Sequence, residues 1–352
     1  MMIDKLKNKY KGQRIYIIGN GPSLREINVS LLKNEYTFSF NRAYLAYKNW
    51  GFSPSFYSVI DRVVLKDNKH EINNMISNKS LYKDTLFFFP FWSDKIIKKD
   101  KNVFFLKEKV KRVFDDRVNK TLNLLGNVGA TSVQIALYLG FKEIVLVGID
   151  ANYVEKPKNI KEIDNRVYGV NWKVYEGTGD DDPNHFLPNY FGKGKRYSIP
   201  NAHIHRLGWR LVKDWIRTFN ILNPDDKICI VDTSLKGKLR VFKKVRFEKV
   251  VKKKVLNCTQ RKKNIVVWGT GEAALRFLIK EGKYYRVLFF VDNDKENWGK
   301  NFLGKKILEP KYLLKTKDYD FIVVAVQSGM KILKNQLTNM NIYEKCVYYE
   351  EL

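Results

Sequence analysis

Apolar and polar residues fall along the first two thirds of this chain in blocks that alternate between strand-like and helix-like lengths. RIYII (14–18) is a continuous apolar run that ends abruptly in Gly-Asn-Gly-Pro-Ser (19–23), and PSLREINVSLLKN then reads as a helical or turn segment. YTFSFN (36–41) is a second strand, and RAYLAYKNWGF a helix ending near Gly51. SFYSVID (55–61), TLFFFPF (85–91) and NVFFLK (102–107) are the third to fifth strands. NVGATSVQIALYL (127–139) spaces Ala130, Val133, Ala136 and Leu137 for one buried helix face, with Gly140 as its cap. EIVLVGID (143–150) is apolar throughout, as in strands covered on both faces of a parallel sheet. KICIVD (227–232) reads as the last strand of this region. Strands alternating with helices predict a doubly wound α/β domain, whose ligands sit at the carboxyl ends of its strands.

Two stretches break the rhythm. Residues 151–206 are irregular, rich in Gly, Pro, Asn, Asp and aromatics, and much longer than a routine connection, which predicts an active-site lid. The lysine-rich run 240–262 predicts a linker or edge strand. A second unit then opens with NIVVWGTGEAALRF, a strand, turn and helix. Asp292 ends the next strand 23 positions after Gly269, and YDFIVVAV (319–326) is another buried strand. The expected organisation is a catalytic domain over 1–239, a basic linker over 240–262, and a smaller Rossmann-like α/β domain over 263–352. Gly269, Gly271 and Asp292 match the dinucleotide fingerprint, so a nucleotide in the second domain is one expectation and a purely structural or regulatory module the other.

Composition narrows the class. With 352 residues, 44% hydrophobic and 14% aromatic, the chain can bury two cores and is globular. No apolar run reaches the roughly 20 residues that span a bilayer, and the first residues lack the apolar core of a signal peptide, which predicts a cytoplasmic location. Cys229, Cys258 and Cys346 are too few and too scattered for a disulfide framework or a metal knuckle and are expected to be reduced. The formal charge of +28 draws in phosphates, anionic lipid surfaces or an anionic sugar nucleotide, but no zinc-finger, RNP1-like or basic heptad pattern accompanies it. Specific nucleic-acid binding is therefore not expected. The lysine runs allow peripheral contact with the inner membrane face, and a homo-oligomer is open.

Candidate chemistry gathers at the predicted strand ends. Gly19, Asn20, Gly21, Pro22 and Ser23 form a tight corner able to hold phosphate through backbone N–H groups and a helix start. Asn41, Asp61, Asn127, Gly129 and Asp150 follow apolar strands or open helices, so one sheet edge would collect them. Taken singly, Asn41 and Asp61 read equally as helix caps and Asp150 as a turn residue. Histidine is scarce. His70 belongs to a polar helix, His185 lies inside the irregular segment where a proton acceptor is useful, and His203 and His205 flank the next helix start. Asp180, Asp181 and Asp182 are consecutive and cannot all converge on one ion, so no metal site is assigned. Tyr153, Tyr168, Tyr175, Tyr190 and Tyr197 crowd the same region, either to meet a departing anion or to pack a lid.

IIGNGPSLREIN, the Asn of FSFN, and NVGATSVQIALYLGFKEIVLVGIDANY resemble segments of the Campylobacter-type bacterial sialyltransferases, glycosyltransferase family 42. They resemble equally the MptE-like family, formerly a domain of unknown function, and DDPNHFLPNYFGKG is similar to the lid of its bacterial members. The resemblance covers about residues 5–235, and the C-terminal unit instead resembles small Rossmann modules of sugar-modifying enzymes. It implies that Asn20, Gly21 and Ser23 face a CMP-activated nonulosonic acid, and that Asn41 and Asn127 to Gly129 hold its sugar and nucleotide. Lid tyrosines, Tyr153 and Tyr190 among them, would assist the departing phosphate. A histidine would take the acceptor proton in a metal-independent inversion. The sialyltransferase pattern points to His203 or His205 and the lid match to His185, which is taken as the base.

Three functions follow as expectations. One is a glycosyltransferase using a nucleotide-activated sugar on a glycan acceptor in surface glycan synthesis, without a required cofactor. Another is a diphosphokinase moving pyrophosphate from ATP to 6-hydroxymethyl-dihydropterin or a similar alcohol, which needs Mg²⁺ and would recruit Asp61, Asp150 or Asp180 to Asp182. The third is a non-catalytic nucleotide-sugar-binding module.

Overall fold

The computed structural model describes residues 3–110, 113–154, 157–199, 201–223, 225–252, 263–316, 318–326 and 328–349. They form two compact units, divided at residue 258.

Eight parallel strands build the sheet of the first unit: β1 (Arg14–Ile18), β2 (Tyr36–Phe40), β3 (Phe56–Ser58), β4 (Leu86–Pro90), β5 (Val103–Leu106), β6 (Glu143–Val147), β7 (Cys229–Asp232) and β8 (Lys243–Lys244). Their spatial order is β8-β7-β6-β1-β2-β3-β4-β5. The chain winds outward from β1 to β5, then returns to the other side of β1. The strand order therefore reverses between β1 and β6, where Ile18 is in register with Val147. In a doubly wound sheet that reversal opens a crevice at the carboxyl ends of the strands.

Alternation assigns the two faces. Ile15, Ile17, Phe38, Phe56 and Phe88 pack beneath the helices Val128–Tyr138 and Ala202–Leu222 through Val133, Trp209 and Val212. Tyr16, Ile18, Tyr57, Phe87 and Phe89 face the helices Arg62–Asp67 and Lys69–Ser77 and the segment around Phe186 to Phe191. Both faces are covered, which is why the strands read as nearly unbroken apolar runs.

Three expectations are corrected. The segment 151–206 is not irregular throughout: Ile160–Ile163, Val174–Gly177 and Arg196–Tyr197 pair as a small antiparallel sheet, and Ala202 already begins the long helix. Polar residues on both faces of these short strands hid the pairing. KICIVD is not the last strand of the first unit, because β8 follows it: the run expected as a linker or edge strand supplies the edge strand Lys243–Lys244 and the short helix Phe247–Val251 behind it. Lys244 Nζ donates to the buried Asp232 carboxylate and to Ser234 O, which holds that edge in place. Cys229 is disulfide-bonded, not reduced, while Cys346 is a free thiol and Cys258 lies outside the described residues. Burial pushes the Cys346 thiol up to about 12.

The second unit has its own sheet of six strands, with Lys263–Trp268 at the centre between Tyr285–Val291 and Phe321–Val324. It is a smaller Rossmann-like α/β layer, as expected. Among the described residues, no helix is long and apolar enough to cross a membrane.

Candidate functional site

The Gly-Asn-Gly-Pro-Ser corner closes β1 at the topological reversal, but its amides do not face open space. Gly19 N–H donates to Val147 O and Gly21 N–H to Gly148 O, extending the β1–β6 ladder beyond the strands. Ser23 donates its amide to Asp150 Oδ2 at 2.8 Å and its hydroxyl to Asp150 Oδ1 at 2.5 Å. A Cβ on Gly19 would lie 2.4 Å from Gly148 O, so glycine here serves close backbone approach. The expected phosphate cradle is corrected accordingly: Asp150 already occupies the donors of Ser23, and a phosphate in the same place would meet a carboxylate. Pro22 starts the short 3₁₀ helix Pro22–Glu26.

The unspent groups lie one strand over. Asn20 Nδ2 donates to Phe40 O, which ties the end of β1 to that of β2 and leaves Asn20 Oδ1 buried without a partner. Asn41 follows β2 with a φ of +55°, and its side-chain Oδ1 is equally unpartnered. Arg42 Nη1 and Ser58 Oγ, at the ends of β2 and β3, are also buried without hydrogen bonds. Buried polar groups are normally paired, so each of these atoms lacks a partner that the described residues could have supplied. Asp61 is removed from this set. It caps the helix Arg62–Asp67 by accepting from Val64 N–H, and burial raises its carboxyl above the ordinary range.

His185, His203 and His205 separate sharply. His185 Nδ1 is 2.8 Å from Asp182 Oδ2, and its ring stacks on Tyr190 at a centroid distance of 4.1 Å and an interplanar angle of 5°. Tyr190 Oη accepts from Arg42 N–H at the end of β2, so the pair sits against the strand ends. The segment is pinned there by Phe186 N–H donating to Asn20 O and by Arg25 donating to the carbonyls of His185 and Phe186. Burial pushes the Asp182 carboxyl up, but the hydrogen bond and charge of His185, with the amides of Asn184 and Phe191, hold it below its usual value. An ionised Asp182 fixes the proton on Nδ1 of His185 and leaves the Nε2 lone pair to accept.

His205 has the opposite arrangement. Tyr153 Oη is 2.9 Å from His205 Nδ1, and burial pushes this histidine down to about 4. Burial first, and the charge of Asp150 second, keep Tyr153 protonated, so the tyrosine donates and Nδ1 of His205 is occupied. His203 is exposed on the first turn of the helix.

Asn127 caps the helix Val128–Tyr138 through Ala130 N–H and donates to His205 O, joining the starts of the two long helices, while Gly129 lies against Trp209. The structure thus places Asn20, Asn41, Tyr190 and His185 beside one another. Asp150 is bound to Ser23, while Tyr153, Asn127 and Gly129 meet the helix Ala202–Leu222 at His205 and Trp209. Asp182 was named only as a possible metal ligand, and its pairing with His185 was missed although the i, i+3 spacing signals it; Arg42 and Ser58 were not named, and a buried Arg after an Asn and a strand-end Ser carry no signal.

The three consecutive aspartates are each hydrogen-bonded. Asp180 accepts from Lys193 N–H, Asp181 from Asn159 Nδ2 and Asp182 from His185. Among the described residues no group of three or more His, Cys, Asp or Glu could hold a metal ion. In the second unit, Thr270 Oγ1 donates to Asp292 Oδ2, and Asp292 Oδ1 accepts from Asp294 N–H, so the acid that would meet a ribose is turned into its own loop.

Comparison with known proteins follows these units. Residues 1–156 match the family described as 6-hydroxymethylpterin diphosphokinase MptE-like, and residues 261–348 match C2185-like, N-terminal. No curated protein matches the chain. Among solved structures, the UDP-D-quinovosamine 4-dehydrogenase from Vibrio fischeri is 24% identical, with 25% of this chain and 75% of that one covered and a TM-score of 0.22. The MAf glycosyltransferase from Magnetospirillum magneticum AMB-1 is 13% identical, with 66% of this chain and 35% of that one covered and a TM-score of 0.34. This chain therefore spans only about a third of that glycosyltransferase. The stretch that matches the MptE-like model, residues 1–156, carries the Gly-Asn-Gly-Pro-Ser corner, Asn41 and the turn at 127–129.

Proposed function

We propose that the first unit is a transferase in which His185 takes the proton of an acceptor hydroxyl as it attacks a nucleotide-activated donor lying across the ends of β1 to β3. The observation that carries this reading is the Asp182–His185 pair, with Nε2 unpartnered among the described residues, set beside the unpaired polar atoms of Asn20 and Asn41. A carboxylate-oriented imidazole is what general-base chemistry needs near neutral pH. His205, neutral down to about pH 4 and engaged at Nδ1, is a poor base.

The donor we favour is a nucleotide-activated sugar, a CMP-nonulosonic acid first, used in surface glycan synthesis. The acceptor oxygen forms a bond to the anomeric carbon on the face opposite the leaving group. The bond from that carbon to the phosphate oxygen breaks, the nucleotide monophosphate leaves with the electron pair, and His185 keeps the proton. Two unpaired amide oxygens suit a ligand rich in hydroxyls, and Tyr190 serves as the platform that aligns His185 rather than as a proton donor, since it is wholly buried.

The match of residues 1–156 favours a second reading, pyrophosphoryl transfer from ATP to a pterin-like alcohol. The acceptor oxygen would then attack the β-phosphorus and AMP would leave. That reading needs a divalent ion and would draw its ligands from Asp61, Asp150 or Asp180 to Asp182, whereas the first uses the Asp182–His185 pair as it stands and is the one we favour.

The test is to incubate the protein with CMP-, UDP- and GDP-sugars, and separately with ATP and 6-hydroxymethyl-dihydropterin, and to read products by ³¹P NMR. Release of CMP with glycoside formation supports the first reading. AMP with a pterin diphosphate replaces it by the second. Binding without turnover for every pair points to a binding module.

A further inference from the structure

We infer that Arg42 is the anion-recognising residue of the ligand pocket, and that the ligand completing this pocket carries a carboxylate or phosphate group beside several hydroxyls. The inference rests on the transferase reading only for the identity of the ligand.

Arg42 is 5% exposed, yet it forms no ion pair among the described residues. Its Nε contacts Tyr44 Oη at 3.4 Å, and its guanidinium carbon stands 5.8 Å from the ring centre of Tyr190 and 5.9 Å from that of Phe191. Nη1 has no acceptor. The two carboxylates that feel its charge are engaged elsewhere: Asp67 accepts from Arg196 N–H and Glu71 from Lys195 Nζ at 3.2 Å each. A guanidinium that is always charged and rarely buried without a partner is costly to leave in this state. Aromatic rings on two sides lessen that cost without supplying an acceptor.

The neighbours define the rest of the ligand. Asn20, 7% exposed, offers only an acceptor, because its amide nitrogen is spent on Phe40 O. Asn41 Oδ1 is a second acceptor. One cationic donor and two acceptors at the ends of β1 and β2 suit an acidic, hydroxylated molecule. A neutral ligand would leave the guanidinium unpaired, and sites built on charged hydrogen bonds discriminate strongly for that reason. The anion could belong to a sugar acid or to a nucleotide phosphate.

Binding separates these sources and does not depend on turnover. Isothermal titration of the full chain with CMP, with free N-acetylneuraminate and with neutral N-acetylmannosamine is compared between wild type, R42K and R42Q. The expected result is that wild type binds an anionic probe and not the neutral one. R42Q should weaken that probe at least tenfold, with R42K between the two. Loss confined to N-acetylneuraminate assigns the guanidinium to a sugar carboxylate, and loss confined to CMP assigns it to the phosphate. If R42Q does not fold, the side-chain Nε–Hε resonance of Arg42 in wild type, assigned by its absence from R42K, is followed instead during titration. Equal affinity of all three proteins for every probe, no binding of either anion, or an unmoved Arg42 resonance at saturation overturns the inference. Anion binding that fails in R42Q while no transfer is ever seen would uphold it and overturn the transferase reading alone.

Discussion

Ser23 gives both its amide and its hydroxyl to one carboxylate, that of Asp150, at 2.8 and 2.5 Å. The pair bridges the ends of β1 and β6, the two strands between which the sheet reverses direction. Asp150 therefore acts as a clamp that shapes the crevice, in place of a ligand's phosphate. Hydrogen bonds to a charged group contribute about 1.5–3 kcal/mol each when partly buried. Asp150→Ala, which loses both bonds, should lower the unfolding free energy by about 3–6 kcal/mol in urea titrations, and Ser23→Ala, which keeps the amide bond, by about 1.5–3 kcal/mol. Equal stability of both variants and wild type would show the clamp to be idle.

Glycine at position 21 is required by the same clamp. A Cβ there would lie 2.5 Å from Asp150 Oδ2 and 2.9 Å from Gly148 O. Gly21→Ala should cost about 1–3 kcal/mol, as overpacking against fixed backbone does. In the double variant with Asp150→Ala the added cost should shrink, since one of the two obstructing groups is gone. A double-mutant cycle by chemical denaturation reads this directly.

These two residues also show what was legible in the chain. The strand runs and the 128–138 helix follow from apolar blocks and turn residues, which encode burial locally, whereas the strand order and its reversal at β1 came only from the structure. Asp150 was legible as a polar strand end, but its partner Ser23 is 127 positions away, and nothing in either segment says that the corner's donors are consumed. The small sheet at 160–197 was illegible for a different reason. Its strands are two to four residues long and mostly half-exposed, so no period-2 pattern accumulates. Arg42 was passed over because a buried arginine looks like any surface one in sequence.

Asp182 should matter through His185 alone. With Asp182→Asn, the imidazole loses the carboxylate that fixes its Nδ1 proton, so turnover should fall about 10²-fold while donor binding stays within a few fold. His185→Ala should fall at least as far, and the double variant no further than His185→Ala, because the two act as one unit. Single-turnover assays with the productive donor give the comparison. Since Asp182 is held below its unfolded value, the stabilisation it supplies is present above that value and is lost as pH falls through the lower folded one. Unfolding titrations of wild type and Asp182→Asn should therefore converge only in strongly acidic solution.

His205 makes the opposite demand at milder pH. Buried and accepting from Tyr153, it resists protonation until about pH 4, whereas in the unfolded chain it takes a proton near its ordinary value of 6.5. Between those two values the unfolded state binds more protons than the folded one, so stability falls as pH drops. The difference corresponds to a loss of about 3 kcal/mol at most between about pH 7.5 and 4. His205→Gln preserves an acceptor for Tyr153 Oη and does not titrate. It should flatten that part of the stability curve while leaving stability at about pH 8 within about 1 kcal/mol of wild type. Urea unfolding at half-unit steps between about pH 8 and 4 checks this, and a slope that survives the substitution would place the proton uptake on another group.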